Sequence, residues 1–159
     1  MNTVDCTLGL YIGGAGEWRA DWLWGLLLIF LTVITHVIGL GLMHKKAVKV
    51  FFTVGNLRYS GAGFVLVIGA VTMLSTLLHM IEIVFWAVSY RILDAAHDFG
   101  SSMLYSLNAM TSYGHNNLFL NPHWQLLGAC ESLNGWLLFG LTTAFLFGMF
   151  QRALKSAEG

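Results

Sequence analysis

Three long apolar stretches and one short one make up most of the chain. The long stretches run from Trp22 to Met43, from Gly61 to Tyr90 and from Leu126 to Phe150. Each is long enough to cross a bilayer as an α-helix, which takes about 20 residues. The short stretch, Ser101 to Met110, is only half that length, and a polar run from Thr111 to Asn116 follows it. The pattern predicts three transmembrane helices and, before the third, a half-length helix that enters the membrane and returns.

Composition supports this interpretation and excludes several classes of protein. The chain has 159 residues, of which 57% are hydrophobic and 10% are charged, whereas soluble domains are about 25% charged. We therefore expect an all-α integral membrane protein in contact with lipid. The basic residues form no patch, so we expect no nucleic-acid partner. Cys6 and Cys130 make no metal motif, and no Ser or Cys stands beside a placed base; we expect no enzymatic activity and no cofactor.

The distribution of charge predicts the orientation. Connector 44–60 and the tail after Phe150 hold six of the eight basic residues, and cytoplasmic loops are enriched in Lys and Arg. The N-terminus is therefore expected outside and the C-terminus in the cytoplasm of a plasma membrane such as the bacterial inner membrane. We divide the chain into 1–60, which holds the N-terminal segment, first helix and basic connector, and 61–159, which holds the short helix between two long ones. The start of the chain lacks the features of a cleavable signal peptide.

Two local motifs resemble the pore domain of tetrameric potassium channels. The pore-loop signature of that family, Ser-x-x-Thr-x-Thr-Thr-x-Gly-Tyr-Gly-Asp, lies without a gap on the run SLNAMTSYGHNN that begins at Ser106. The inner-helix pattern of bacterial two-helix channels, Gly-x-x-x-Phe-Gly-Leu-x-Thr-Ala-x-Leu, lies on the run GWLLFGLTTAFL that begins at Gly135. The resemblance implies a homotetrameric, potassium-channel-like fold with one extra helix at its N-terminus. It also implies a cation channel, or a channel-like pore, that conducts a monovalent cation.

The same resemblance assigns residues to a selectivity filter and a hinge. In the family, backbone carbonyls of the filter replace the hydration shell of the ion. The matching positions here are Thr111, Ser112, Tyr113, Gly114, His115 and Asn116. Because Tyr113 and His115 differ from the family's residue types, the filter is non-standard and its selectivity is not implied. Gly135 stands where the inner helix of the family bends, although close packing explains a glycine equally well, and packing is the expected role of Gly140, Ala144 and Gly148.

Polar residues inside the predicted helices form a second group of candidates. His79 and Glu82 are one turn apart and share a face, and an ionisable residue in a membrane span is a functional hypothesis. With Glu131 on the third helix and Asn108, which stands where many family members have a glutamate, they are predicted to brace the filter-like loop from behind. A variant of this hypothesis makes His79, His115 or His123 a proton sensor.

Two rival functions remain open from the sequence. His36 and His79 lie on different helices, as the two ligands of a haem often do. However, the predicted orientation places His36 nearer the cytoplasmic side and His79 nearer the outer side, which argues against a shared ligand. The other rival is a non-conducting homologue that keeps the fold as a scaffold, sensor or lipid-binding protein.

Overall fold

The chain folds into long helices. The computed structural model describes residues 17–53, 61–114 and 118–158, and every regular element within those ranges is helical. In chain order these elements are α1 (Glu17–Thr53), α2 (Gly61–Ile92), α3 (Phe99–Met110), a 3₁₀ turn (Pro122–Trp124) and α4 (Gln125–Glu158). Three segments are apolar and long enough to cross a membrane: Arg19–Lys49, Val65–Ile92 and Pro122–Arg152. The predictions of an all-α protein and of three membrane-spanning helices are confirmed.

The first and last helices extend beyond their predicted ends. α1 continues ten residues past Met43, through the stretch that we expected to be a connector, and α4 continues eight residues past Phe150. Neither extension contains Gly or Pro, and both contain Lys and Ala, which favour a helix. The long apolar stretches therefore located the membrane spans correctly but underestimated the lengths of the helices that contain them. The rest of the predicted connector, 54–60, and residues 1–16 lie outside the described residues.

The turn between α2 and α3 is short and well hydrogen bonded. The Ala95 N–H donates to the carbonyl of Tyr90 (2.8 Å), and Asp94 adopts a left-handed conformation with φ of 51°. The carboxylate of Asp98 then accepts a hydrogen bond from the Ser101 N–H (2.9 Å) and caps α3. Asp98, and not Ser101, is therefore the N-cap residue of α3. The cap redirects the chain so that α3 turns back along α2.

α3 packs beside the middle of its neighbours and not on their ends. Ser106 on α3 donates a hydrogen bond to the carbonyl of Ile83 (3.0 Å), nine residues before the end of α2. The carbonyl of Met110, the last residue of α3, lies against Gly135, ten residues into α4. With a rise of 1.5 Å per residue, these offsets are about 14 and 15 Å. The C-terminal end of α3 therefore lies deep within the bundle.

A core at the junction of α2, α3 and α4 holds this arrangement. Trp86, Tyr90, Leu127 and Leu138 are completely buried there. The opposite surfaces of the long helices are apolar, with exposed residues such as Leu23 (71%) and Leu66 (69%). Exposed leucines at this density suit contact with lipid and not with water.

Candidate functional site

Four polar side chains from three helices meet in a closed ring inside the bundle. Nδ1 of His36 on α1 and Nδ1 of His79 on α2 are hydrogen bonded to the two carboxyl oxygens of Glu82, at 2.8 and 3.1 Å. Nε2 of His36 and Nε2 of His79 are both within hydrogen-bond distance of Oγ1 of Thr142 on α4, at 3.0 and 3.1 Å. We call these four side chains the His–Glu ring. It connects α1, α2 and α4 through polar contacts alone.

The expectation that His36 and His79 lie too far apart to share a partner is wrong, because both are hydrogen bonded to Glu82. Their ring centroids are 5.0 Å apart. His36 is 17 residues from Arg19, where the first span begins, and His79 is 13 residues from Ile92, where the second ends. In antiparallel helices this difference of four residues corresponds to only about 6 Å along the bundle. Counted from the predicted ends, Trp22 and Tyr90, the two histidines are 14 and 11 residues from the same side of the bundle, so the predicted spans already allowed this contact.

Three members of the His–Glu ring are buried, and Thr142 is partly exposed. His36 and Glu82 have no exposed surface and His79 is 7% exposed. The aromatic side chain of Phe139 packs against the imidazole of His79, with the centroids of the two side-chain rings 4.5 Å apart. Ionic and polar groups buried this deeply need hydrogen-bond partners, since water does not supply them. The four hydrogen bonds of the ring meet that need.

The same residues are the one group in the described part of the chain that has the spacing of a metal site. The potential ligand atoms of His36, His79 and Glu82 lie within 4.8 Å of one another. Two histidines and a glutamate form a common zinc-binding set. However, both nitrogens of each imidazole already face a polar partner in the ring. A metal would therefore bind only in place of those hydrogen bonds, and we do not assign one.

Glu131 forms a second polar cluster, which fixes α3. It accepts a hydrogen bond from the hydroxyl of Tyr90 on α2 (2.5 Å), and its other carboxyl oxygen is hydrogen bonded to Oγ of Ser106 on α3, whose own proton goes to the carbonyl of Ile83. All three residues are buried, with Tyr90 and Glu131 at 0% exposure. We call them the Glu131 cluster. One carboxyl group on α4 thus ties down the half-length helix and the end of α2.

The predicted bracing residues therefore divide between two clusters. Glu82 and His79 belong to the His–Glu ring, whereas Glu131 contacts α3 directly. Asn108 is half-buried on α3, and its carbonyl accepts the N–H of Tyr113 (3.0 Å). A further contact, from the amide of Asn134 on α4 to the hydroxyl of Thr32 on α1 (2.9 Å), was not predicted.

The loop after α3 begins with a Schellman cap, in which the N–H groups of Ser112 and Tyr113 donate to the carbonyls of Ala109 and Asn108. Ser112 and Gly114 both have positive φ, 53° and 96°, while Thr111 before them is right-handed. Thr111, Ser112, Tyr113 and Gly114 are all exposed in the single chain, and the side chain of Tyr113 is 82% exposed. The hydroxyl of Ser112 accepts a hydrogen bond from Nε1 of Trp136 on α4 (2.9 Å). His115 and Asn116, the other two predicted filter residues, lie outside the described residues.

A hollow lies where the end of α3 meets α4. Its volume is about 360 Å³, and it is lined by Met110, Thr111, Ser112, Trp136, Phe139, Gly140 and Thr143. It thus brings together the first two predicted filter residues and the exposed face of α4.

The glycines of α4 differ in their surroundings. A Cβ on Gly135 would overlap the carbonyl oxygen of Met110, so this glycine permits the close approach of α3. Gly140 and Gly148 have nothing within 4 Å of an added Cβ, and Ala144 is exposed. The expected packing role of these three residues is therefore not fulfilled within one chain. α4 is a continuous helix through Gly135.

The residues predicted from the sequence do not include three members of these clusters: Thr142, Tyr90 and Ser106. Thr142 lies in the run that matches the inner-helix motif and Ser106 begins the run that matches the pore loop. Both residues therefore lie in motifs that the sequence singles out. However, nothing in a sequence indicates which buried carboxylate a hydroxyl will contact. Comparison with protein-family models, with curated proteins and with solved structures found no match to this chain.

Proposed function

We propose that this chain is the subunit of a membrane cation channel, or channel-like pore, with a non-standard filter formed by the loop after α3. The proposed assembly is a homotetramer, the number that the resemblance to potassium channels implies. The observation that carries the proposal is the half-length α3, whose C-terminal end lies deep in the bundle and is followed by an exposed loop with alternating backbone conformation.

The position of α3 supports a segment that enters the membrane and returns. Its end lies about 15 Å below the start of α4, roughly halfway along a span. Irregular backbone at this depth is tolerated where protein buries it or where it lines a water-filled cavity. The loop residues Thr111–Gly114 are exposed in one chain, so neighbouring copies around an aqueous axis would provide the required environment.

Backbone geometry supports carbonyl ligands for a cation. Ser112 has the left-handed conformation of a Schellman cap at the end of α3, and Gly114 is left-handed again two residues later. The carbonyls of this segment therefore lie beyond the helical hydrogen bonds of α3. A glycine at φ of 96° avoids the strain that a Cβ would cause there. The hydroxyls of Thr111 and Ser112 and the carbonyls from Tyr113 to His115 are the proposed ligands.

Electrostatics favours a cation over an anion near the loop. The C-terminal end of a helix carries a partial negative charge, and the end of α3 lines the hollow beside Thr111 and Gly140. Gly140, Ala144 and Gly148 form a stripe of small residues on α4, flanked by the exposed aromatic side chains of Trp136, Phe139 and Phe147. A stripe of this type suits either close contact with another copy or the wall of a cavity.

The proposal is tested by ion flux through the purified protein in liposomes. Potassium, sodium and a large organic cation are compared in parallel, after cross-linking has shown the number of copies. We expect flux of small cations and exclusion of the large one. Potassium flux that excludes sodium would assign a carbonyl filter, and equal flux of both would assign a wider, weakly selective pore.

Gly114→Ala tests the role of the loop. A Cβ at φ of 96° is strained whatever the space around it, so we expect flux to fall at least tenfold while assembly is retained. Gly41→Ala is the matched control, because it makes the same change at an α-helical glycine with nothing within 4 Å. Equal flux in both variants would show that this loop is not the filter.

An intact assembly of the parent chain without flux under any ionic condition would instead favour a non-conducting scaffold.

A further inference from the structure

The His–Glu ring contains four hydrogen bonds, but its four side chains in their usual protonation states supply only three protons. Its four bonds link Glu82 to His36, His36 to Thr142, Thr142 to His79 and His79 back to Glu82. Each bond needs one proton between its two heavy atoms. A neutral imidazole supplies one proton, a threonine hydroxyl supplies one, and an ionised carboxylate supplies none. Two neutral histidines, Thr142 and an ionised Glu82 therefore supply three protons for four bonds.

A fourth proton completes the ring in either of two arrangements. It can protonate Glu82, so that every member donates to the next around the circle. It can also make one histidine an imidazolium beside an ionised Glu82, with the hydroxyl of Thr142 donating to the other histidine. In both arrangements the four side chains together carry no net charge.

We propose that His36, His79, Glu82 and Thr142 form a proton-binding site that stores one exchangeable proton within the membrane-spanning bundle. Without that proton, one bond of the ring has an acceptor on both sides and Glu82 carries an uncompensated charge at 0% exposure. Charges in such positions are costly in a membrane. Loss of the proton thus weakens the attachment of α4 to α1 and α2, which makes the packing of this helix depend on pH.

No other charged group of the described residues takes part in the ring. α4 contributes only Thr142 there, and Glu131, eleven residues earlier on the same helix, is bonded to Tyr90 and Ser106. On α1, His44 lies eight residues after His36 and contacts Met149 and Arg152, while Asp21 lies fifteen residues before it. On α2, the nearest further charge is Arg91, nine residues after Glu82. These separations correspond to about 12 Å or more along the helices.

The geometry favours a proton over a metal ion at this site. All four imidazole nitrogens are engaged, two with the carboxylate and two with Thr142. A metal ion would displace hydrogen bonds of the His–Glu ring, whereas an added proton completes the set of four. The two ligands also differ in a measurable way, because a metal is detected by elemental analysis and a stored proton is released on unfolding.

The experiment counts protons when the purified full-length chain is unfolded in SDS at pH 7.5, in weak buffer with an indicator dye. A free carboxyl titrates near pH 4.3 and a free imidazole near pH 6.5, so the unfolded chain does not keep the extra proton. Glu82→Gln is the informative variant. Its amide donates to one imidazole and its carbonyl accepts from the other, so the ring closes without an additional proton. We expect the parent chain to release about one proton more than Glu82→Gln.

Asp94→Asn is the matched control, since it makes the same chemical change at a carboxylate whose side chain is 96% exposed. It is expected to release as many protons as the parent chain. The parent chain should also unfold more readily as pH rises, by up to tenfold in the unfolding constant per pH unit relative to Glu82→Gln. Equal proton release from the parent chain and Glu82→Gln would overturn the proposal, as would one tightly bound metal ion per chain.

A measurement on the unmutated protein covers the case in which Glu82→Gln does not fold. Nuclear magnetic resonance of chain labelled with ¹⁵N-histidine and ¹³C-glutamate reports where the protons are at pH 7.5. We expect either an imidazolium or a neutral Glu82 carboxyl group. An ionised Glu82 between two neutral histidines would contradict the stored proton. None of these measurements requires conduction, so the proton site and the proposed pore fail or succeed independently.

Discussion

The carboxylate of Asp98 illustrates how one residue sets the direction of the half-length helix. It accepts hydrogen bonds from both the N–H (2.9 Å) and the hydroxyl (2.6 Å) of Ser101 at the first turn of α3. These hydrogen bonds, the side-chain one foremost, hold the pKa of Asp98 below its ordinary value of 3.8. A group whose pKa is lowered on folding stabilises the fold above its unfolded pKa, and this contribution is lost as the pH falls through the lowered value.

Asp98→Asn tests this contribution without removing the cap, since Asn is also a good N-cap residue. We expect the melting temperature of the parent chain to fall more than that of Asp98→Asn when the pH is lowered from 5 to 2.5. The measurement is thermal unfolding in detergent by circular dichroism, with Asp94→Asn as the exposed control. Melting curves of the parent and Asp98→Asn that shift in parallel over this range would contradict the assignment.

At the scale of helices, the contact between α3 and α4 does most to fix the position of the half-length helix. A half-length helix has few contacts of its own, and isolated helices of about 12 residues are marginal in water. α3 is kept in place by Ser106 bonded to Ile83 and Glu131, and by the approach of Met110 to Gly135. Because the neighbour of Gly135 is backbone, it cannot give way as a flexible side chain would.

Gly135→Ala should therefore push the end of α3 away from α4. We expect a loss of about 1–3 kcal/mol in the free energy of unfolding, the usual cost of overpacking, and a change in the loop that follows. Thermal or SDS-induced unfolding measures the first effect. Gly69→Ala, on α2 with nothing within 4 Å, is the control and should unfold like the parent chain. A Gly135→Ala variant of unchanged stability would favour a flexible hinge over close packing at this position.

At the scale of the whole molecule, buried polar clusters link helices that present mostly apolar surfaces. The His–Glu ring connects α1, α2 and α4, and the Glu131 cluster connects α2, α3 and α4. Apolar side chains give little preference for protein over lipid, so polar contacts contribute to helix association in a membrane. The exposed loop and the small residues of α4 leave a surface on which the proposed neighbouring copies would pack.

Removing the carboxyl group of Glu82 should weaken the helix bundle and, with it, the proposed assembly. Glu82→Ala leaves two buried histidines without their shared partner, and each unpaired buried group costs about 1–3 kcal/mol. We expect the variant to unfold at lower temperature and to dissociate more readily on size-exclusion chromatography. Glu82→Gln keeps partners for both histidines and should retain most of the stability at pH 7. Identical melting temperatures for Glu82→Ala and the parent chain would show that the ring does not hold the helices together.

The sequence by itself determined the class of protein and the order of its elements. Apolar stretches longer than a bilayer crossing identified three spans, and a half-length stretch before a polar run identified α3, because length and hydropathy are local properties. The cap at Asp98 is local in the same sense, because Asp is a favoured N-cap residue. The ends of α1 and α4 were less accurate, since helix propensity continues beyond the apolar region.

Only the tertiary structure decided which polar groups meet. His79 and Glu82 share one helix face, and their proximity follows from local geometry. The addition of His36 and Thr142 depends on how deeply α1 and α4 lie beside α2, and a shift of one turn, about 5.4 Å, would separate them. The division of Glu82 and Glu131 into two clusters has the same origin. Contacts between helices depend on the relative position of whole helices, which no local pattern of residues contains.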